Sequence, residues 1–227
     1  MASWIIHLRV AESILNQLPI DIKTTEFIVG NIAPDSGVPN EDWSRFYPDT
    51  NVSHFKHKTV DGKKEVDLDH FVLNHLNKEK LNSYNRREIS FFLGYYSHLM
   101  TDILWVRDIY DPCCEKHFDE YTADKVAFTW KIKEDWYDLD FKFLRDNPSF
   151  SAFEIYRNAV GFENEFLDIF SHDAFDNRRE YIVSFYDEKR EGLDREYPFL
   201  AEERADRFVD EAAKLITDSI KNIFEVF

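Results

Sequence analysis

A nearly uninterrupted apolar segment, Ile89–Trp105, carries two side chains that could do chemistry, His98 and Asp102. They are four residues apart and would be neighbours on one face of a helix. An ionised carboxylate is costly to bury in such a helix unless another group pairs with it. A His–Asp hydrogen bond would meet that need, and so would a divalent metal ion held by both side chains. The segment itself leaves both interpretations open.

Three further residues have types suited to the same chemistry but sit in less telling surroundings. His7 lies on an otherwise apolar helical face, where a hydrogen-bonded core histidine is the simpler interpretation. Asp35 lies in the Pro- and Gly-bounded loop Gly30–Gly37, where helix capping or a local turn would explain it. His54 lies in a polar loop and could be a surface histidine. None of the three is decisive alone.

The elements that must position these residues are helices. Strand signals are scarce, and a polar, irregular segment over 37–65 is the only long interruption, with Asp61-Gly62 marking a turn. No repeat or linker divides the chain. We therefore expect an all-α, multi-helix bundle in a single domain over 1–227. Apolar periodicity and end signals predict helices over 3–18, about 23–29, 67–77, 86–106, 115–134, 137–145, 150–171, 174–191 and 200–225.

Composition limits the possible partners. The 227 residues are 16% aromatic, which supplies ample core, and carry a net charge of -16, which repels long nucleic acids and anionic surfaces. A small anionic substrate would then need a local cation. The two cysteines, Cys113 and Cys114, are adjacent and suggest no disulfide framework. We find no signal peptide and no membrane-spanning stretch, and expect a cytoplasmic protein without integral membrane association.

Four elements, in order, resemble the zinc-dependent phospholipase C family: His7 in the first helix, the loop ending at Asp35, the segment around His54, and the segment with His98 and Asp102. The resemblance spans about the first half of the chain. It implies an all-helical fold, shared with single-strand-specific zinc nucleases, with metal ions clustered at one end of the bundle. It also implies that Asp35, His54, His98 and Asp102 bind one metal, while Asp102 bridges to a second metal that His7 also binds.

The implied activity is hydrolysis of a phosphoric ester by a phospholipase C-like phosphodiesterase. Carboxylates and imidazoles suit two or more zinc ions, although other divalent metals would also fit, and clustered metals suit attack of an activated water on phosphorus. Asp35 would be the catalytic general base, although a role as ligand competes with that. The substrate would be a small phosphoester, such as a phospholipid or a nucleotide, rather than a long nucleic acid.

The downstream His and Glu ligands of the family have no clean counterpart in this chain. His117 is the best substitute as a metal ligand, although a solvated surface helix would equally explain its neighbourhood. A non-catalytic, helical metal-binding or regulatory protein on the same scaffold is the alternative function. A phosphohydrolase that uses the His172-Asp173 dipeptide is disfavoured because no partner histidines precede it. The leading hypothesis requires the five residues His7, Asp35, His54, His98 and Asp102 to converge in space.

Overall fold

A computed structural model describes residues 2–42, 44–60 and 62–225, with the side chain of residue 225 excepted. Most of the described chain is helical, which confirms the predicted all-α class. The helices are α1 Trp4–Leu15, α2 Thr24–Ile32, α3 Thr50–Ser53, α4 Leu68–His75, α5 Lys78–Ser83, α6 Arg86–Trp105, α7 Asp111–Lys116, α8 Phe118–Ala123, α9 Lys125–Asp146, α10 Ser151–Asn158, α11 Ala174–Asp187 and α12 Glu202–Glu225. A 3₁₀ turn, Ala33–Asp35, extends α2, and a π-helical turn, Val106–Tyr110, joins α6 to α7.

The segment over 37–65 is less irregular than its composition predicts. It contains two antiparallel pairs of short strands, β1 Val38–Pro39 with β2 Phe46–Tyr47, and β3 Lys56–Lys58 with β4 Lys64–Val66. Neither pair has the alternating apolar pattern by which strands are found from sequence. Of the predicted Asp61-Gly62 turn, Asp61 lies outside the described residues. Gly62 has φ of 83°, a conformation that favours glycine.

Helix α6 is the central element, with α2 as its main packing neighbour and further contacts to α1, α4 and α12. It begins with a capping box, in which the Asn85 side chain accepts from the Glu88 amide and Glu88 accepts from the Asn85 amide. Fourteen of its 20 residues are buried, as the apolar run predicts. Its polar residues within that run therefore face protein rather than solvent, which places His98 and Asp102 inside the bundle.

Two glycines let α2 and α6 approach each other closely. A Cβ added at Gly30 would meet the carbonyl group of Phe91, and one at Gly94 would lie 2.1 Å from the carbonyl oxygen of Phe27. Any side chain larger than a hydrogen would push the two backbones apart at these points. The close approach brings the end of α2 beside His98, one turn further along α6.

Several predicted helix boundaries are wrong, and the structure shows why. The predicted helix over 115–134 is broken because Asp124 accepts from two amides of the next turn and starts a new helix, α9. Helix α9 then runs unbroken to Asp146, across the predicted gap between 134 and 137, where Asp135 is buried in an ion pair with Arg195. Helix α10 ends at Asn158, well short of the predicted 171. None of the described helices is long and apolar enough to cross a bilayer.

Candidate metal centre

Five predicted site residues come from four separate elements. His7 lies in α1, Asp35 ends the 3₁₀ turn after α2, His54 directly follows α3, and His98 and Asp102 lie in α6. The three histidines are fully buried, Asp102 is 3% exposed, and the Asp35 side chain is 13% exposed. Asp35 is therefore the member of the set with the most access to solvent.

The five side chains form two groups that share His98. In one, ligand atoms of His7, His98 and Asp102 lie within 4.8 Å of one another, and in the other those of Asp35, His54 and His98 do. The His7 and His98 rings are parallel and stacked with centroids 3.8 Å apart. His54 crosses His98 edge-on, with 3.3 Å between their Nε2 atoms. This convergence meets the spatial condition that the leading hypothesis sets.

Neighbouring backbone carbonyls fix which ring nitrogens carry protons. His98 Nδ1 donates to the carbonyl of Asn31 at 2.7 Å, and the Asn31 side chain in turn donates to Ser97. His54 Nδ1 donates to the carbonyl of Thr50 at 3.1 Å. A carbonyl only accepts, so in the neutral rings both Nε2 atoms present lone pairs toward each other. Burial lowers the pKa of His98 to about 3, so its ring is neutral at physiological pH.

Two carboxylates face the same point. Asp35 Oδ1 lies 3.3 Å from His54 Nε2, while Asp35 Oδ2 accepts from the Trp4 indole at 2.9 Å. Asp102 Oδ2 lies 3.7 Å from His54 Nε2 and 3.8 Å from His98 Nε2, and its Oδ1 accepts from the Ala2 amide at 2.9 Å.

The comparison with known proteins now bears on this geometry. The sequence model of the family described as zinc dependent phospholipase C matches residues 6–160, more than half of the chain. The protein belongs to the zinc-dependent phospholipase C family. No curated protein and no solved structure is significantly similar to the chain. The match confirms the resemblance drawn from the four sequence elements and extends it beyond the first half of the chain.

The residues present fit the zinc that this family's name implies. Asp102 Oδ2 and both ring nitrogens of His7 are buried and have no hydrogen-bond partner among the described residues, although His7 Nε2 lies 3.3 Å from Asp102 Oδ1. Among the described residues, the Nε2 lone pairs of His54 and His98 converge on oxygens of Asp35 and Asp102, an arrangement that a bound cation would stabilise. Imidazole and carboxylate together are a donor set that zinc accepts. As a phospholipase C family member, the chain therefore has buried side chains suited to hold it.

The second group opens onto a cleft of about 260 Å³. Asp35, which contacts His54, marks its inner end, and α9 and α11 contribute Lys133 and Arg178 to its lining. Many of the residues that line the cleft are aromatic, among them Trp4, Trp130, Trp136, Tyr137 and Tyr181. A small molecule in this cleft would lie against Asp35 and, through it, beside the histidines.

The structure does not bring His117 into either group. Its ring packs against Phe128 and Phe199, and its Nδ1 lies 3.7 Å from Glu120. His117 ends α7, and nothing in the family resemblance had placed it by a matching motif.

Sequence reasoning missed the groups that orient the site. The carbonyls of Asn31 and Thr50 set the imidazole protons, yet a backbone acceptor has no signature in the sequence. Trp4, by contrast, could have been found, because it lies three residues before His7 on the same helical face and its indole donates to Asp35. Lys133 and Arg178 lie on polar helices whose facing partners the sequence does not reveal.

Proposed function

We propose that this protein is a zinc-dependent hydrolase of phosphoric esters, with His7, Asp35, His54, His98 and Asp102 holding the metal. The observation that carries the proposal is the convergence of imidazole lone pairs and carboxylates beside a cleft of ligand size. Membership of the zinc-dependent phospholipase C family supports the same reaction class. Zinc bound at such a site activates water for attack on phosphorus and stabilises charge on the phosphoryl oxygens.

The chain's own residues supply orientation and proton handling. Asn31 and Thr50 hold His98 and His54 in the tautomers that leave Nε2 free. The Trp4 indole fixes one oxygen of Asp35, which is both a member of the second group and the carboxylate that faces the cleft. Asp35 is therefore the proposed general base, positioned to take a proton from water at the inner end of the cleft. The surrounding aromatic walls would limit the access of bulk water.

The test begins with zinc content measured by elemental analysis. The wild-type protein should hold more than one zinc ion per chain, and His98→Ala and Asp102→Ala should lose zinc. His172→Ala is the matched control, because His172 is 67% exposed and belongs to neither group. Thermal unfolding of each metal-free variant shows whether a loss of zinc reflects a loss of the fold.

Hydrolysis is then measured with bis(p-nitrophenyl) phosphate. We expect turnover by the zinc-loaded wild type, and a loss of turnover with retained zinc in Asp35→Asn if its role is mainly that of a base. A wild type that takes up no zinc when it is offered would refute the proposal. Firmly bound zinc without hydrolysis of any phosphoester would favour the alternative, a non-catalytic metal-binding or regulatory protein.

A further inference from the structure

Two cations face the cleft without a carboxylate partner among the described residues. Arg178 is 7% exposed, and the one hydrogen bond found for its guanidinium goes from Nη2 to the carbonyl of Gly37, at 2.6 Å. Lys133 is partly buried, and its ammonium lies 5.2 Å from the centre of the Trp130 ring. A guanidinium has five N–H donors, so the described residues use only a small part of the hydrogen-bonding capacity of Arg178.

This arrangement is unusual in so acidic a chain. The protein has 44 Asp and Glu against 28 Lys and Arg, and most of its arginines form ion pairs. A buried guanidinium without a carboxylate is unfavourable unless another anion completes it. The charge of Lys133 also interacts with Asp35 and, behind it, Asp102, so balancing those two carboxylates is the competing explanation for this lysine.

The aromatic side chains of the cleft limit the kind of ligand that it can bind. Trp4 and Tyr181 meet edge to face at 5.9 Å, and Arg178 lies 5.3 Å from the centre of the Tyr181 ring. Aromatic walls alone would suit a quaternary ammonium group, which is attracted to ring faces. Here, however, the face of Tyr181 is already covered by a guanidinium and that of Trp130 by an ammonium. A second cation brought by the ligand would be repelled by both.

We propose that Lys133 and Arg178 form an anion-binding wall that selects phosphoesters with net negative charge over zwitterionic ones that carry choline or another ammonium group. The inference rests on the proposed phosphoesterase function and names its substrate class. Arg178 binds a phosphoryl or second anionic oxygen in a forked geometry, and Lys133 supplies a second positive charge in the same cleft. The aromatic side chains then pack against the uncharged part of the ligand.

The test is equilibrium binding, followed by tryptophan fluorescence or calorimetry on both zinc-loaded and chelator-treated protein. The ligands are glycerol 3-phosphate and phosphocholine, which are similar in size and differ in net charge. We expect glycerol 3-phosphate to bind about tenfold more tightly. Lys133→Gln and Arg178→Gln should each weaken it by about tenfold and leave phosphocholine less affected.

Lys131→Gln is the matched control, because it removes the same charge two residues away in α9, where Lys131 pairs with exposed Glu120 instead. Equal effects of Lys131→Gln and Lys133→Gln would overturn the proposal, as would tighter binding of phosphocholine. So would a Lys133→Gln variant that binds zinc more tightly and anions unchanged, since Lys133 would then only balance the carboxylates. A preference that vanishes on zinc removal would assign it to the metal and also overturn the proposal.

A further arm separates the two sources of such a ligand. Sedimentation with vesicles of phosphatidylglycerol and phosphatidylcholine, against vesicles of phosphatidylcholine alone, shows whether the anionic ester is a lipid headgroup or a soluble molecule. Charge preference in a protein that binds zinc and hydrolyses phosphoesters supports the wall. Zinc binding and hydrolysis without charge preference would overturn the wall and leave the proposed function intact.

Discussion

Replacing Gly94 with alanine tests whether the close approach of α2 and α6 sets the geometry of the metal centre. An alanine Cβ would lie 2.1 Å from the carbonyl oxygen of Phe27, whereas an ordinary contact begins at 3.4 Å. The obstructing atom belongs to the backbone, so no side chain can rotate away. The two helices must therefore separate locally by about 1 Å.

The expected cost follows from that displacement. Overpacking of a rigid core lowers the free energy of unfolding by about 3 kcal/mol at the upper end of its range. The higher helix propensity of alanine raises it again by about 1 kcal/mol. The net loss in the free energy of unfolding should be about 2 kcal/mol. The same separation would lengthen the 2.7 Å hydrogen bond from His98 Nδ1 to Asn31 beyond useful range, and zinc affinity should fall by tenfold or more.

Urea denaturation of the metal-free protein and calorimetric titration with zinc would measure the two effects. Gly161→Ala is the control, because Gly161 has φ of 71° and nothing within 4 Å of an added Cβ. In this variant, backbone strain should lower the free energy of unfolding by about 1 kcal/mol, and the zinc affinity should be unchanged. A Gly94→Ala variant with unchanged stability and unchanged zinc affinity would refute the idea that this contact positions His98.

Two further predictions concern buried carboxylates outside the metal centre. Burial raises the pKa of Asp140 to about 7, although hydrogen bonds from Tyr186 and Ser3 oppose that rise. Asp140 therefore ionises at a lower pH in the unfolded chain than in the folded protein. As pH rises from about 4 to 7, this difference lowers the free energy of unfolding. When the free energy of unfolding is measured by denaturation at each pH, the value for Asp140→Asn should rise relative to the wild type by up to a few kcal/mol across that range. A difference between the two proteins that does not change with pH would contradict this. In the same assay, Arg195→Gln should lower the free energy of unfolding by about 2 kcal/mol, because its partners Asp135 and Asp138 are buried. Arg145→Gln should lower it by less than about 1 kcal/mol, because the partners of Arg145 are exposed. Equal losses in the two arginine variants would contradict the role of burial.

Part of the site could be predicted from the sequence because two of its residues differ sharply in polarity from their surroundings. His98 and Asp102 stand out in an otherwise apolar segment, and the four-residue spacing places both on one helical face. Asp35 and His54 lie in loops, and only the family resemblance linked them to α6. Their convergence depends on how α2 and α3 pack, which no local pattern encodes. The assignment of these residues as ligands stays a prediction until metal is measured.

The fold was predictable in class and less so in detail. Apolar periodicity located α1, α6 and α12 to within a few residues, because burial of one face decides those helices. The continuity of α9 was not predicted. Its buried Asp138 pairs with Arg195, and a partner 57 residues away in the chain leaves no local signal. The anion-binding wall was missed for the same reason, since the sequence lists charges without their partners. The single domain over 1–227 stays a prediction.

The side chains that converge on the metal centre all lie between His7 and Asp102, whereas Lys133 and Arg178 come from α9 and α11. Arg178 and Tyr181 even lie beyond the residues that match the family, 6–160. The proposed metal ligands and the proposed anion-binding wall thus occupy separate stretches of the chain. Substitutions in α9 and α11 would change which ester the cleft prefers and leave the histidines in place. Related proteins could therefore differ in substrate preference while they keep the same metal ligands.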